Sequence, residues 1–189
     1  MIEARVVLNN LEEPKKILEK EGAVFKGEYE IRDIIFRSKD PNKSLTDEFL
    51  RLRIIKKNIW NEKDFIVSVK NTEEREVGKN STVSFRKEFD TEEEAREYIE
   101  ENLLDRFEFD FEFDRVGSQY DLGEDQVDLE NNSGQFSMEV KSKTPEGIKK
   151  LLKLFDIKES TVLKGPSVLS IKEYLNNKIQ KGMLYPNAK

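Results

Sequence analysis

Cysteine and histidine are both absent from the sequence. The first absence excludes disulfides and thiolate metal sites; the second removes every Ser-His or Cys-His triad and every imidazole ligand. Any acid, base or metal ligand must then be a carboxylate, a Lys, a Tyr or a backbone group. Long apolar runs are missing too. No stretch approaches the ~20 apolar residues of a membrane-spanning helix, and the opening residues carry Glu3 and Arg5 where a secretory signal needs an unbroken apolar core. The expectation is a cytoplasmic protein with no membrane partner. A surplus of positive charge is also lacking: the formal net charge is −6, which argues against a duplex nucleic-acid partner while leaving room for a local basic pocket. With five Pro and nine Gly, the chain shows no repeat, linker or low-complexity block.

What is present suffices for one core. Charged residues make up 38% of the 189, but twelve Phe and many Ile, Leu and Val balance them, so the chain folds rather than staying disordered. The length fits a single domain, 1–189, with a helical part from about 145 to 189. Ile2, Ala4, Val6 and Leu8 alternate with Glu3, Arg5 and Val7, the period of a strand with one apolar face. A helix follows, capped by Asn10, with Pro14 near its first turn and Gly22 at its close. Residues 23–36 read as two short strands or one bent strand, before a turn-rich loop around Asp40-Pro41-Asn42. Strands are expected at 49–56, 64–70 and 82–89, the first two joined through Asn58 and Asn61.

Thr91 followed by Glu94 makes a capping box for a helix to about Asn102. Phe107, Phe109, Phe111 and Phe113 then alternate with Glu108, Asp110, Glu112 and Asp114, a strand with one greasy and one acidic side. Strands at 126–130 and 134–142 precede helices starting near Pro145 and near Pro166 or Ser167. Eight or so strands in hairpins, with helices after the first strand, after the middle of the sheet and at the end, give an α+β class. The architecture expected is a closed or nearly closed antiparallel eight-stranded β barrel, a tunnel with flanking helices.

Charged residues recur two apart on these strands: Glu3 and Arg5, Arg51 and Arg53, Arg86 and Glu88, Glu139 and Lys141, with Lys70 ending another strand. Each pair projects from one face. They read either as the solvated faces of an antiparallel sheet or, if helices cover the apolar outer face, as a charged lumen. The acidic positions from Glu108 to Asp114 are either further metal ligands or the wet side of a strand. Trp60, beside Asn58 and Asn61, either stacks on a base or covers a hairpin.

In order and spacing these residues resemble the CYTH domains, or triphosphate tunnel metalloenzymes, which include class IV adenylyl cyclases and thiamine triphosphatases. Glu3-Ala4-Arg5-Val6-Val7 stands for the family's opening Glu-x-Glu-x-Lys. Asp33-Ile34-Ile35-Phe36 matches its Asp before an aromatic, and Leu50-Arg51-Leu52-Arg53 its Leu-Arg-x-Arg. Val67-Ser68-Val69-Lys70 matches its strand ending in Lys, and Arg86-Lys87-Glu88 its Arg-x-Glu. Asp128 and Gly134 keep the spacing of its Asp and its Gly-x-Phe-x-Glu-x-Glu strand, and the tail from Ile148 to Tyr174 resembles its closing helices.

The resemblance implies a tunnel in which Arg51, Arg53, Lys70, Arg86 and Arg115 bind phosphates, while Glu3, Glu88, Asp128 and Glu139 hold Mg²⁺ or Mn²⁺. Glu88 and Glu139 would be the catalytic carboxylates, and the ligand a small-molecule triphosphate: ATP, thiamine triphosphate or tripolyphosphate. A triphosphate carries roughly four negative charges, so several cations plus a hard metal suit it. The chain departs from the pattern at Arg5 and Val7, where the family has Glu and Lys, and at Gly117, where it has Arg. Counting from Gly134 puts Met138 and Val140 at the family's two Glu; a one-residue bulge between Gly134 and Glu139 is expected to turn Glu139 and Lys141 inward instead. Three readings follow. The chain is a divergent metal-dependent enzyme that hydrolyses or cyclises a triphosphate; or a catalytically degenerate binder of nucleotides, polyphosphate or RNA ends, with Arg5 and Lys141 partly replacing the metal's charge; or its charges form salt bridges without function.

Overall fold

Period-two alternation dominates the chain, and the elements follow it. The computed structural model describes residues 1–74 and 79–180, with the backbone alone at 72–74 and 79–81. In chain order the elements are β1 (Ile2–Val7), α1 (Glu12–Lys20), β2 (Val24–Ser38), β3 (Phe49–Lys57), β4 (Phe65–Glu74), β5 (Lys79–Phe89), α2 (Glu92–Asn102), β6 (Phe107–Leu122), β7 (Asp125–Asn132), β8 (Gln135–Ser142), α3 (Pro145–Leu154), a 3₁₀ turn (Glu159–Thr161) and α4 (Ser167–Gln180). The expected helical tail beyond 180 lies outside the described residues. Among those described, no helix is long and apolar enough to cross a membrane.

The strands form one antiparallel eight-stranded sheet in the order β1-β5-β4-β3-β2-β6-β7-β8, curled so that β8 returns to β1. β1 pairs β8 from Ile2/Ser142 to Val7/Ser137. On its other side β1 meets β5 at the single described pair Glu3/Lys79. Farther along, the segment after the 3₁₀ turn comes against β1 instead: Leu163 donates its N–H to the Arg5 carbonyl at 2.8 Å. The curl is therefore barrel-like, but its β1/β5 seam is not a hydrogen-bonded ladder among the described residues.

The apolar residues of this sheet lie mainly outside the curl. Leu18 of α1 and Ile148, Leu151 and Leu152 of α3 pack on Ala4, Val6, Val127, Leu129, Met138 and Val140. Ala95 and Ile99 of α2 cover Ile34, Leu50, Leu52, Val67 and Val69. Each Val, Leu, Ile or Met side chain among these contributes about 1.5–3 kcal/mol on full burial. A third cluster, Val168 and Ile171 of α4 with Ile35, Leu45, Phe49 and Phe113, closes one end of the curl from within. Because both apolar layers are outside, the alternate side chains face inward, and those are the charged ones.

Of the two readings of the segment after α1, the structure has the single bent strand, Val24–Ser38, with register shifts at Phe25/Gly27 and Glu30/Ile31. In β6 the single greasy side is broken where Phe111 and Phe109 lie opposite Ile35 and Phe36. That shift sends Phe107 under α2, while Phe111 and Phe113 join the α4 plug.

Candidate functional site

The inward side chains surround a cavity of about 170 Å³. Cross-strand register builds its basic wall. Asp33 on β2 sits opposite Arg53 on β3 and accepts from Arg53 Nε and Nη2 at 2.8 and 2.9 Å. Arg115 of β6 reaches the same carboxylate at 3.5 Å, and Arg51 Nε stands 3.9 Å away. Lys70 at the inner face of β4 completes this wall. Burial alone would raise the Asp33 carboxyl, but Arg53 and Arg51 hold it well below the usual carboxylate range. One carboxylate cannot satisfy this many cations. Burial, then repulsion from Arg53, pushes Arg51 down to about 9, and burial with Arg51 and Arg53 pushes Lys70 down to about 8. The buried Nε atoms of Arg51 and Arg115 have no hydrogen-bond partner, so the wall carries donors in excess of acceptors.

The opposite wall comes from β1, β7 and β8 and is internally paired. Arg5, buried to 3% exposure, binds Glu139 through Nε at 3.0 Å and through Nη2, and binds Glu130 and Ser137 through Nη1. Lys141 bridges Asp128 at 2.7 Å and Glu139 at 3.2 Å. Gln119 and Gln126 donate to Asp128. Burial would raise the Glu130 carboxyl, but Arg115 and Arg5 hold it well below its ordinary value. Tyr29 donates its hydroxyl to Glu130 at 2.7 Å; burial beside that carboxylate pushes the phenol up, so it stays a donor. Trp60 lies against Tyr29, ring centres 4.7 Å apart, and lines both the cavity and its mouth with Gln119, Gln126 and Glu3.

The structure thus brings Arg51, Arg53, Lys70, Arg115, Glu3, Asp128 and Glu139 to one cavity. It does not bring Arg86 and Glu88 there. They share the inward parity through the pairs Ser68/Arg86 and Ile66/Glu88, but this part of β5 borders the open seam. Both are about one-third exposed, bound to each other at 2.9 Å, and Arg86 also bridges Glu62. Glu139 faces inward as expected, yet without the expected bulge: β8 keeps regular register with β1 and β7 from Gln135 to Ser142. Ser133 and Gly134, both at positive φ, form the β7–β8 turn, so strand parity starts at Gln135 and places Met138 and Val140 outside. The acidic row of β6 is tied to cations, Glu108 to Arg37, Asp110 to Lys172, Glu112 to Arg32 and Asp114 to Lys56, which is its wet-side reading.

Sequence reasoning missed Glu130 and Tyr29. Glu130 lies two residues beyond Asp128 on the same strand, so parity alone could have found it. Tyr29 had no such signal, because bends in β2 set its direction. It fills the space above Gly117, whose added Cβ would lie 2.2 Å from the Tyr29 ring. Gly117, where the sequence resemblance leads one to expect an Arg, is therefore the residue that leaves room for Tyr29 to reach Glu130.

The carboxylates fit a divalent ion poorly. A hard cation needs about six oxygen ligands with lone pairs free, whereas Arg5, Lys141, Arg115, Tyr29 and two Gln already engage the oxygens of Asp128, Glu130 and Glu139. Among the described residues no three Asp or Glu gather as a metal group.

No family model matches the sequence, and no curated protein matches it. Solved structures do. The PH1012 protein of Pyrococcus horikoshii is 23% identical, with a TM-score of 0.66 over 87% of this chain and 95% of its own. The PH1819 protein of the same organism is 18% identical, with a TM-score of 0.67 over 95% and 98%. HpAC1 of Hippeastrum, named as a candidate adenylyl cyclase with a dominant triphosphatase activity, is 17% identical, with a TM-score of 0.59 over 98% and 97%. At these identities the shared property is the fold, the CYTH-like fold to which the sequence motifs point.

Proposed function

We propose that the chain binds a triphosphate-containing small molecule in this cavity, with Arg51, Arg53, Lys70 and Arg115 gripping the phosphates. The observation that carries this reading is the crowding of three guanidinium groups, Arg51, Arg53 and Arg115, around one carboxylate, Asp33, with the Lys70 ammonium lining the same cavity. Unliganded, they repel one another in a poorly solvated space. A polyanion relieves the repulsion and accepts from the free donors. Structural neighbours named for adenylyl cyclase and triphosphatase activity agree with a triphosphate ligand. The seam beside β5 and the mouth at Trp60 give access, and the mouth has room for an organic group, so ATP and thiamine triphosphate are as suitable as tripolyphosphate. Such ligands belong to the cell interior, the compartment this reading implies.

Holding is better supported than turnover, because Glu88 stands away from the cavity and Glu139 is engaged by Arg5 and Lys141. Titration calorimetry with tripolyphosphate at low salt tests the site. Arg51→Gln and Lys70→Gln are each expected to weaken binding by about tenfold or more, the worth of a charge-assisted hydrogen bond. Arg96→Gln, on the exposed face of α2 beside Glu92, should leave it unchanged. Equal affinities in all four proteins would refute the assignment.

A further inference from the structure

We infer that Arg5 and Lys141 stand where a divalent cation would otherwise be needed, so that the cavity takes polyphosphate without metal. The inference rests on the triphosphate reading above and specifies how that site balances its charge. Four carboxylates line this wall, Glu3, Asp128, Glu130 and Glu139, and the two side-chain cations among them carry together the charge of one divalent ion. Their placement is central. Glu139 has one oxygen on Arg5 and the other on Lys141, and Asp128 has one on Lys141 and the other on Gln119.

The cations are also poorly placed to leave. Arg5 is buried at 3% exposure, and the Lys141 side chain at 20%. A metal entering this wall would have to displace a buried guanidinium and an ammonium held between two carboxylates. Both can still serve a ligand. Of its five N–H groups, Arg5 engages four in the bonds to Glu130, Ser137 and Glu139; Lys141 engages two of three. Each thus keeps a donor for an anion in the cavity that both line. The mechanism is that of charge-assisted hydrogen bonding in place of metal coordination.

Two measurements on the intact protein test this. In the first, Mn²⁺ is titrated into the unliganded chain and free Mn²⁺ is followed by electron paramagnetic resonance; no binding is expected at micromolar concentrations, and a micromolar site would overturn the inference. In the second, tripolyphosphate is titrated in EDTA and in Mg²⁺. Binding is expected to persist in EDTA, and Mg²⁺ is expected not to tighten it; a tightening of about tenfold or more by Mg²⁺ would equally overturn the inference. Lys141→Gln releases oxygens of Asp128 and Glu139, and is expected to lose about tenfold in EDTA and to regain part of that with Mn²⁺. An affinity in EDTA equal to that of the unaltered chain would count against a role for Lys141. Tripolyphosphate binding in neither buffer would sink the triphosphate reading itself, while the Mn²⁺ titration would still decide whether this wall takes a metal.

Discussion

Gly117 shows how a single missing side chain shapes the cavity. It needs no special backbone angle; what it supplies is space, since an added Cβ would meet Tyr29 Cζ at 2.2 Å and Oη at 2.5 Å. A phenol ring end could swing aside on a surface, but here it is held by Glu130 on one side and Trp60 on the other, at 2% exposure. Gly117→Ala is therefore expected to cost about 1–3 kcal/mol in urea unfolding, the range for overpacking a filled site. Combining it with Tyr29→Leu, which removes the clashing atoms, should cost less than the sum of the two single changes. Strict additivity would show that Tyr29 is not the obstacle. Glu130 belongs to the same lesson. Its carboxylate joins Arg5, Arg115 and Tyr29, yet no motif marks it, because its partners come from three other strands, β1, β6 and β2, rather than from its own neighbours in sequence.

At the level of elements, local chemistry was legible and long-range register was not. The α2 start was readable from Thr91 and Glu94: the Thr91 side chain accepts from the Glu94 N–H at 3.2 Å, and the Glu94 carboxylate accepts from the Thr91 N–H at 3.3 Å. Thr91→Ala is expected to lower stability by about 1 kcal/mol, read as a shift in urea midpoint, with α2 amides exchanging faster than those of β7. An unchanged midpoint would mean that packing of Ala95 and Ile99 alone holds the helix. Parity on β3 and β8 was also readable, which is why Arg51, Arg53 and Glu139 were singled out, whereas Asp128 came from the spacing of the CYTH resemblance and not from parity on β7. The β8 bulge was misread because Gly134 was counted as strand when it belongs to a turn with Ser133. Arg86 and Glu88 have the right parity, but exposure depends on whether β1 comes alongside, and β1 meets β5 only at Glu3/Lys79 among the described residues. Nothing local to β5 announces that.

At the scale of the whole molecule, a net charge of −6 hides a positive interior wall, because acidic residues predominate overall while Arg51, Arg53, Lys70 and Arg115 gather on inward faces. Lys70 makes this testable by pH. Burial, then Arg51 and Arg53 with a lesser push from Arg86, lower its ammonium to about 8 against the opposing pull of Glu3. Between about pH 8 and the ordinary lysine value of 10.5, the unfolded chain holds more protons at this group than the folded one. Its contribution to stability therefore rises with pH across that window, being unfavourable while the lysine is charged. A bound polyanion reverses the preference: it favours the ammonium, so binding weakens as pH climbs past about 8. Tripolyphosphate only gains negative charge over this range, so the ligand cannot cause the decline. The rise in Tm produced by tripolyphosphate is expected to be larger for the unaltered chain than for Lys70→Gln near neutral pH, and the gap is expected to narrow steadily above about pH 8. A gap that stays constant to about pH 10 would mean that Lys70 does not touch the ligand, even if the ligand binds in the cavity.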